Sequence, residues 1–469
     1  MKTDFNKLDR AFNPQCVVVI GDKMPYMWLR GQSEFKGKLY SVQIDPNEFE
    51  GIKALGVENY TSLAEVKEPI DLAIVAVPRP VAPRILDDCI SNNVAAAHFF
   101  TSGFAETDTE EGIRLESILK EKSEQANFHL VGPNCMGIFN PGAGVRQSGG
   151  QYTGITGPVG FIAQSGTHAI AFSQEAHLHG VDISKSVSFG NGTVLDSTNY
   201  LEYFNRDPGC EIIGMYLEGV KDGKWFFQVL KQVTTRKPVV IWKGGRTEDG
   251  GRAISSHTGS LAVPQAIWES AVRQCGAIPV ASMEELIDTL KVLLFIPSVR
   301  GNRVGITGGS GGQSVAIADV FAEAGLSVPN LTQESYDELA SFYTLIGGGY
   351  RNPIDTGNVN RREMGRILEI LGQDANIDNL VLLSGARFGN PEQLENQVNL
   401  LVDIRERTSK PVMAVVSCSF NPRDVEQAGT VIQKLQDSGI PAFISLERGA
   451  HALKNALDYY SHRNSVSYR

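Results

Sequence analysis

The 469-residue chain lacks most of what would tie it to metals, membranes or nucleic acid. Its six cysteines (Cys16, Cys89, Cys135, Cys210, Cys275 and Cys418) form no Cys-x-x-Cys pair, so neither a zinc site nor a redox dithiol is indicated. Their wide spacing reads as the reduced thiols of a cytoplasmic protein. No uninterrupted apolar run approaches the roughly 18 residues of a membrane span; runs such as Leu380–Leu383 are strand-sized. The N-terminus has no apolar signal core. Positive charge is not in excess: the formal net charge of −10 argues against nonspecific nucleic-acid binding, though not against a local basic pocket for an anionic cofactor. No metal ligand set is expected either, since His177 and His179 are two apart and face different directions on a helix.

What the chain does have is glycine, 48 of 469 residues without a short repeat, which suits many strand-to-helix turns and close approaches of backbone to phosphate. Apolar and charged contents of 42% and 20% are those of an ordinary globular protein, and the length allows two to four domains. Short, fully apolar stretches alternate with helical ones throughout. Val17–Ile20, Leu39–Ile44, Leu72–Val77, Val94–Phe100 and Phe128–Val131 read as strands, with helices such as 81–92 and 110–125 between them. Continuous apolar strands alternating with helices predict parallel sheets covered on both faces, with ligands outside the carboxyl ends of the strands. A nicotinamide dinucleotide is not expected at the first of these ends. The turn reads Gly21-Asp-Lys-Met-Pro-Tyr-Met-Trp28 and lacks the Gly-x-Gly-x-x-Gly spacing, which makes a dinucleotide-dependent oxidoreductase the weakest reading.

A second segment begins near Gly157. Strand Val159–Ala163 runs through Gln164-Ser-Gly-Thr167 into a helix, so the turn presents free amides and the positive end of a helix dipole, fit for a phosphate. An ordinary N-cap by Ser165 or Thr167 reads the same way. Strand Ile212–Leu217 ends in Glu218, which is either a functional carboxylate or a solvated strand-end acid. Strand Pro238–Trp242 leads into a polar loop of about twenty residues, Lys243 to Ala262, and connections that long are often functional. This loop carries the glycine pairs Gly244-Gly245 and Gly250-Gly251 and one histidine, His257, flanked by hydroxyls. Three neighbouring strand ends would then bring together a helix N-terminus, a carboxylate and an imidazole. That set suits a phosphorylated histidine: Glu218 fixes the tautomer, the other ring nitrogen is the nucleophile, and the helix end receives the phosphoryl oxygens. A third segment follows a linker near 297–301. It opens on strand Arg303–Ile306 and the turn Thr307-Gly-Gly-Ser-Gly-Gly-Gln313, which lacks the Lys-Ser/Thr ending of a nucleotide P-loop.

Taken in order, the stretches Ala76-Val-Pro78, Thr101-Ser-Gly-Phe-Ala-Glu106, Gly132-Pro-Asn-Cys-Met-Gly137, Gln164-Ser-Gly166, Ser188-Phe-Gly-Asn191, Leu201-Glu-Tyr203, Tyr216-Leu-Glu218, Lys243-Gly-Gly, Ser256-His-Thr-Gly-Ser260, Asn352-Pro-Ile-Asp355 and Glu447-Arg-Gly-Ala450 span essentially the whole sequence. They resemble the NDP-forming acyl-CoA synthetases, specifically the α subunits of the ADP-forming acetyl-CoA synthetases and, more distantly, those of the succinyl-CoA synthetases. The Ser-His-Thr-Gly-Ser segment is the specific one.

The resemblance implies an α/β protein of three consecutive domains: a Rossmann-like CoA-binding domain over 1–148, a flavodoxin-like domain with a phosphohistidine loop over 149–297, and a second flavodoxin-like, ligase-CoA domain over 298–469. It implies an acid–CoA ligase that interconverts acyl-CoA, ADP and phosphate with the carboxylic acid, CoA and ATP, through an acyl phosphate and a phosphohistidine. His257 would be the phosphorylated nucleophile and Glu218 its orienting carboxylate. Ser165, Gly166, Thr167 and Gly259 would hold phosphate. Coenzyme A would lie along Gly21, Asp22, Asp45, Pro46, Val77, Pro78, Thr101, Ser102, Gly103 and Asn134, with no metal on this chain. The glycines of the His257 loop would let it swing between sites. An ATP-grasp domain is absent from the sequence, so ATP/ADP and Mg2+ are expected on a separate β subunit of a cytoplasmic hetero-oligomer. Two departures stand out: that missing domain, and a first turn bulkier and more charged than the family's small-residue loop. The second motivates the alternative of a non-catalytic CoA-binding regulatory or scaffold subunit of the same fold.

Overall fold

The computed structural model describes residues 2–258, 264–296, 298–309, 311–343, 350–356, 361–386, 391–417 and 422–467, with the side chains of 255–258, 361–362 and 466–467 outside the described set. The chain divides into two compact units, Met1–Met283 and Glu284–Arg469.

The first unit contains two sheets. Strands β1 (Cys16–Ile20), β2 (Lys38–Val42), β3 (Glu58–Tyr60), β4 (Leu72–Val75), β5 (Ala96–Phe99) and β6 (His129–Val131) are all parallel, in the order β3-β2-β1-β4-β5-β6. This is the Rossmann-like order, with its switch point between β1 and β4. β1 and β4 are buried at every residue because helices cover both faces, which is why they read as unbroken apolar runs.

The second sheet is built from β7 (Gly137–Phe139), β8 (Val159–Ala163), β9 (Ile183–Ser188), β10 (Ile212–Leu217), β11 (Val239–Lys243) and β12 (Ile278–Val280), in the order β12-β11-β10-β8-β9-β7. Its five parallel strands are flavodoxin-like, with the switch point between β8 and β10. β7 pairs antiparallel to β9, so the chain that leaves the first sheet seals the edge of the second. The core is continuous through both sheets: Phe12 of the helix Phe5–Phe12 stacks on Tyr203 with ring centroids 4.4 Å apart, and both belong to one buried cluster with Val19, Ile162 and Met215.

The second unit holds β13 (Val304–Gly309), β14 (Ile354–Asp355), β15 (Asn379–Gly385), β16 (Val412–Ser417) and β17 (Ala442–Phe443), parallel in the order β14-β13-β15-β16-β17, again flavodoxin-like. Its first helix, Met283–Phe295, places Asp288 against the Arg448 guanidinium at 2.5 and 3.0 Å.

One expectation is corrected. The polar stretch after β11 is not loop throughout: Glu248–Thr258 is helical. Thr247 Oγ1 accepts the Gly250 amide at 3.1 Å, Glu248 and Asp249 sit in the first turn, and Asp249 pairs with Arg252 one turn on. Ile254 is buried against Gly245. These contacts offset the roughly 1 kcal/mol that each interior glycine costs a helix relative to alanine.

Candidate functional site

The β8–β10 switch point brings the sequence-predicted groups together. β8 passes through Gln164 into the helix Gly166–Leu178, whose N-cap is Ser165 with its Oγ accepting the His168 amide at 3.4 Å. The first intrahelical bond here is Ala169 N to Ser165 O, so the Gly166 and Thr167 amides precede the helical ladder and have no helical acceptor. Gly166 is required by a close approach: a Cβ there would lie 2.5 Å from Met136 Cγ. Across the switch, Gln164 Oε1 accepts both the Glu218 amide at 2.9 Å and the Gly219 amide at 3.1 Å. Lys243, at the end of β11, donates from Nζ to the Glu218 carbonyl at 2.7 Å and the Gly244 carbonyl at 2.6 Å. It is 4% exposed and lies 5.8 Å from the Trp268 ring, and burial pulls its pKa down. Tyr216, two residues before Glu218 and therefore on the same face of β10, donates its hydroxyl to Glu218 Oε1 at 3.2 Å. The backbone of Glu218 is held from both sides, and Tyr216 holds its carboxylate.

His168 completes this cluster, with ring centroids 4.3 Å from Tyr216 and 4.7 Å from Trp242. Burial lowers its pKa, opposed by the nearby charge of Glu218. Sequence reasoning quoted Gln164, Tyr216 and Lys243 within its motifs without giving them individual roles, and gave His168 no role. A lysine closing an apolar strand was the available signal for Lys243, and the i, i+2 spacing of Tyr216 and Glu218 for Tyr216.

Ser165, Gly166 and Thr167 line a cavity of about 210 Å3 together with Ser102 and Asn134, and with Gln164, Phe100 and Met136. The strand ends of the two sheets of the first unit therefore share one cleft. Asn134 takes a positive φ of 57°, donates its amide to Thr101 O at 3.0 Å, and faces Asn191, whose side chain bonds Glu106 and Glu116 at 2.7 and 2.8 Å. Thr101 Oγ1 donates to the carbonyl of the buried Val77 at 2.6 Å, beside the exposed Pro78. Gly103, at φ 99°, lies under Arg79. The helix Glu248–Thr258 packs against the turn Ala105–Thr107, so the backbone of His257 belongs to an element seated beside the end of β5. The His257 imidazole and Gly259 lie outside the described residues.

The remaining predicted residues gather at the ends of β1 and β2, and none of them lines that cavity. Gly21, at φ 78°, is pressed to Val77: a Cβ on it would sit 2.5 Å from Val77 Cγ1. Asp22 is 5% exposed and turned inward, its carboxylate accepting the Trp28 and Leu29 amides at 3.0 and 2.9 Å. Asp45 caps the turn that starts at Pro46 and bridges Lys23 at 2.8 Å, which holds its carboxyl below the usual range. Among the described residues there is no cluster of His, Cys, Asp and Glu that could hold a metal, and no helix long and apolar enough to cross a membrane.

Two family profiles match the chain: a CoA binding domain over residues 28–141 and a succinyl-CoA ligase-like flavodoxin domain over 156–293. The chain is 32% identical over 449 residues to the α subunit of acetate–CoA ligase (ADP-forming) II of Pyrococcus furiosus, covering 93% of this chain and 94% of the relative. It is also 32% identical over 462 residues to acetate–CoA ligase (ADP-forming) I of Archaeoglobus fulgidus, covering 97% of this chain but 64% of that longer protein. A similar solved structure is the dinucleotide forming acetyl-coenzyme A synthetase 1 of Ca. Korarchaeum cryptofilum in complex with phosphate and ADP, with a TM-score of 0.85 at 29% identity over 98% of each chain.

Proposed function

This chain belongs to the ADP-forming acyl-CoA ligase family, and from that premise we propose that it is the catalytic α subunit of such a ligase, working through an acyl phosphate and a phosphohistidine at His257. The observation that carries the reading is the switch-point clamp, in which Gln164 and Lys243 fix the backbone of Glu218 beside a helix N-terminus. In this mechanism coenzyme A lies along the strand ends at Gly21, Asp22, Asp45, Pro46, Val77, Pro78, Thr101, Ser102, Gly103 and Asn134. The thiol end reaches the shared cavity, where Ser102 and Asn134 meet Ser165, Gly166 and Thr167. Phosphate bound on the Gly166 and Thr167 amides attacks the thioester carbonyl. The thiolate leaves as CoA and an acyl phosphate remains. The amides lie where phosphoryl charge sits, which is the electrostatic help such a transfer needs. One nitrogen of the His257 ring then attacks phosphorus and the carboxylate leaves, while Glu218 accepts a hydrogen bond from the N–H of the other nitrogen and steadies the charged ring.

The division of labour follows the same reading: a CoA-binding domain over 1–148, a flavodoxin-like domain bearing His257 over 149–297, and a ligase-CoA domain over 298–469. The segment around Gly244 and Gly245, with Gly259, carries His257 away to a nucleotide. A separate ATP-grasp β subunit supplies ATP/ADP and Mg2+ in the cytoplasm. The α-subunit length of the Pyrococcus relative supports a separate partner; the longer Archaeoglobus relative is a single chain. Acetyl-CoA and 32P-phosphate should label the chain with an acid-labile, base-stable phosphate, and His257→Asn should abolish it. Label surviving in that variant would overturn the assignment of the nucleophile, and no label on the native chain with any acyl-CoA would favour the CoA-binding scaffold.

A further inference from the structure

Coenzyme A brings a diphosphate and a ribose 3′-phosphate to the first sheet, and both need cations or free amides. The turn after β1 offers neither. Its helical amides at Trp28 and Leu29 are already taken by the buried carboxylate of Asp22. Lys23 is bridged to Asp45, and Glu48 accepts the Met24 amide at 3.3 Å. Three acids thus crowd the ends of β1 and β2, and an incoming phosphate would be repelled there. The end of β5 is closed in the same way: the Glu106 carboxylate accepts the Gly103 and Phe104 amides at 2.5 and 3.0 Å, and Glu116 accepts that of Ala105 at 3.0 Å.

Arg79 is different. It follows β4 at the switch point of the sheet, between Pro78 and Pro80, and is half-buried against Gly103. One guanidinium nitrogen donates to the Gly103 carbonyl. Among the described residues it has no carboxylate partner: Glu111, near enough to feel its charge, gives both oxygens to Arg114 at 2.8 Å. Of the two cations in the turns that follow the strands of this sheet, Lys23 is paired and Arg79 is not. A guanidinium has five N–H donors in a fork matched to phosphate oxygens, so most of its donors remain for a guest.

We propose that Arg79 is the phosphate-gripping residue for coenzyme A in this protein, taking over a contact that the self-closed Asp22 turn does not make. The proposal rests on the reading that the chain binds CoA. The test is calorimetric titration of the full chain with CoA and with dephospho-CoA, for the native protein, Arg79→Ala and Arg79→Gln. The glutamine keeps a donor for the Gly103 carbonyl while removing the charge, and so separates anion binding from local folding. Both variants should bind CoA roughly ten- to a hundredfold more weakly, the range of a lost charge-assisted hydrogen-bond pair. In turnover, the KM for CoA should rise while kcat at saturation is kept. If the 3′-phosphate is the group held, dephospho-CoA binding is insensitive to the substitutions; if it is the diphosphate, both ligands weaken equally. Native-strength CoA binding by Arg79→Gln overturns the role of Arg79 and leaves the CoA reading intact. Failure of the native chain to bind CoA at all overturns the CoA reading itself.

Discussion

Replacing Lys243 with methionine tests the clamp on Glu218 directly. The side chain is of similar length and stays apolar, so packing against Trp268 is retained and the loss is confined to the ammonium. Two charge-assisted bonds disappear, to the Glu218 and Gly244 carbonyls at 2.7 and 2.6 Å. Each such bond contributes about 1.5–3 kcal/mol. Against them stands the cost of keeping a buried ammonium, visible as the depression of its pKa. A net destabilisation of about 2 kcal/mol follows from these opposing contributions. The first unit spans Met1–Met283; at ~2.1 cal/mol/K per residue its unfolding entropy is about 0.6 kcal/mol/K, so the melting temperature should fall by about 3–4 °C. The functional loss should be larger. Glu218 would lose the ammonium that holds its carbonyl, and a displacement of about 1 Å at a reacting group costs on the order of a hundredfold in rate. Quench-flow measurement of phosphoenzyme formation, beside a thermal melt and CoA titration, separates these effects. The expected pattern is a small melting shift, unchanged CoA affinity and phosphorylation slowed about ten- to a hundredfold. A variant that melts lower yet phosphorylates at the native rate would refute the idea that Lys243 positions Glu218.

Two further outcomes can be checked with the same assays. Gly166→Ala places a Cβ 2.5 Å from Met136 Cγ; overpacking of this kind costs about 1–3 kcal/mol, and the KM for phosphate should rise as Met136 is pushed into the cavity, with Met136→Ala in the same chain restoring most of the loss. His98, 1% exposed with neither ring nitrogen hydrogen-bonded and set edge-on to Trp28, is held neutral by burial, its pKa pushed down to about 3. Because the folded value lies below the ordinary value of 6.5, the unfolded chain binds the extra proton between these pH values. The associated stability is complete above pH 6.5 and is lost as the pH falls toward 3. His98→Leu should therefore flatten the acid limb of urea-denaturation midpoints measured from pH 7.5 to 4.5, and an unchanged limb would show that other groups govern acid unfolding.

The sequence by itself determined the parallel α/β class and the positions of the long strands. Central strands such as Cys16–Ile20 and Ile212–Leu217 are buried on both faces and so are apolar throughout. It also determined which residue types gather at strand ends, hence His257, Glu218 and the Ser165 turn as the groups to examine. Short edge elements escaped because three residues are too few to show a pattern: Glu58–Tyr60 has one exposed and two half-buried residues, and Gly137–Phe139 is buried but just as short. The helix Glu248–Thr258 escaped because its two glycines disguise a segment held by a Thr247 cap and by burial of Ile254. Only the tertiary structure decided which donors at the strand ends remain open. Asp22, Glu106 and Arg79 look alike as polar residues in turns, yet the first two spend their charge on local amides and the third does not. Asp22 and Glu106 find those amides within their own turns, which the folded backbone brings into reach, whereas Arg79 meets the Gly103 carbonyl only because β4 and β5 lie side by side.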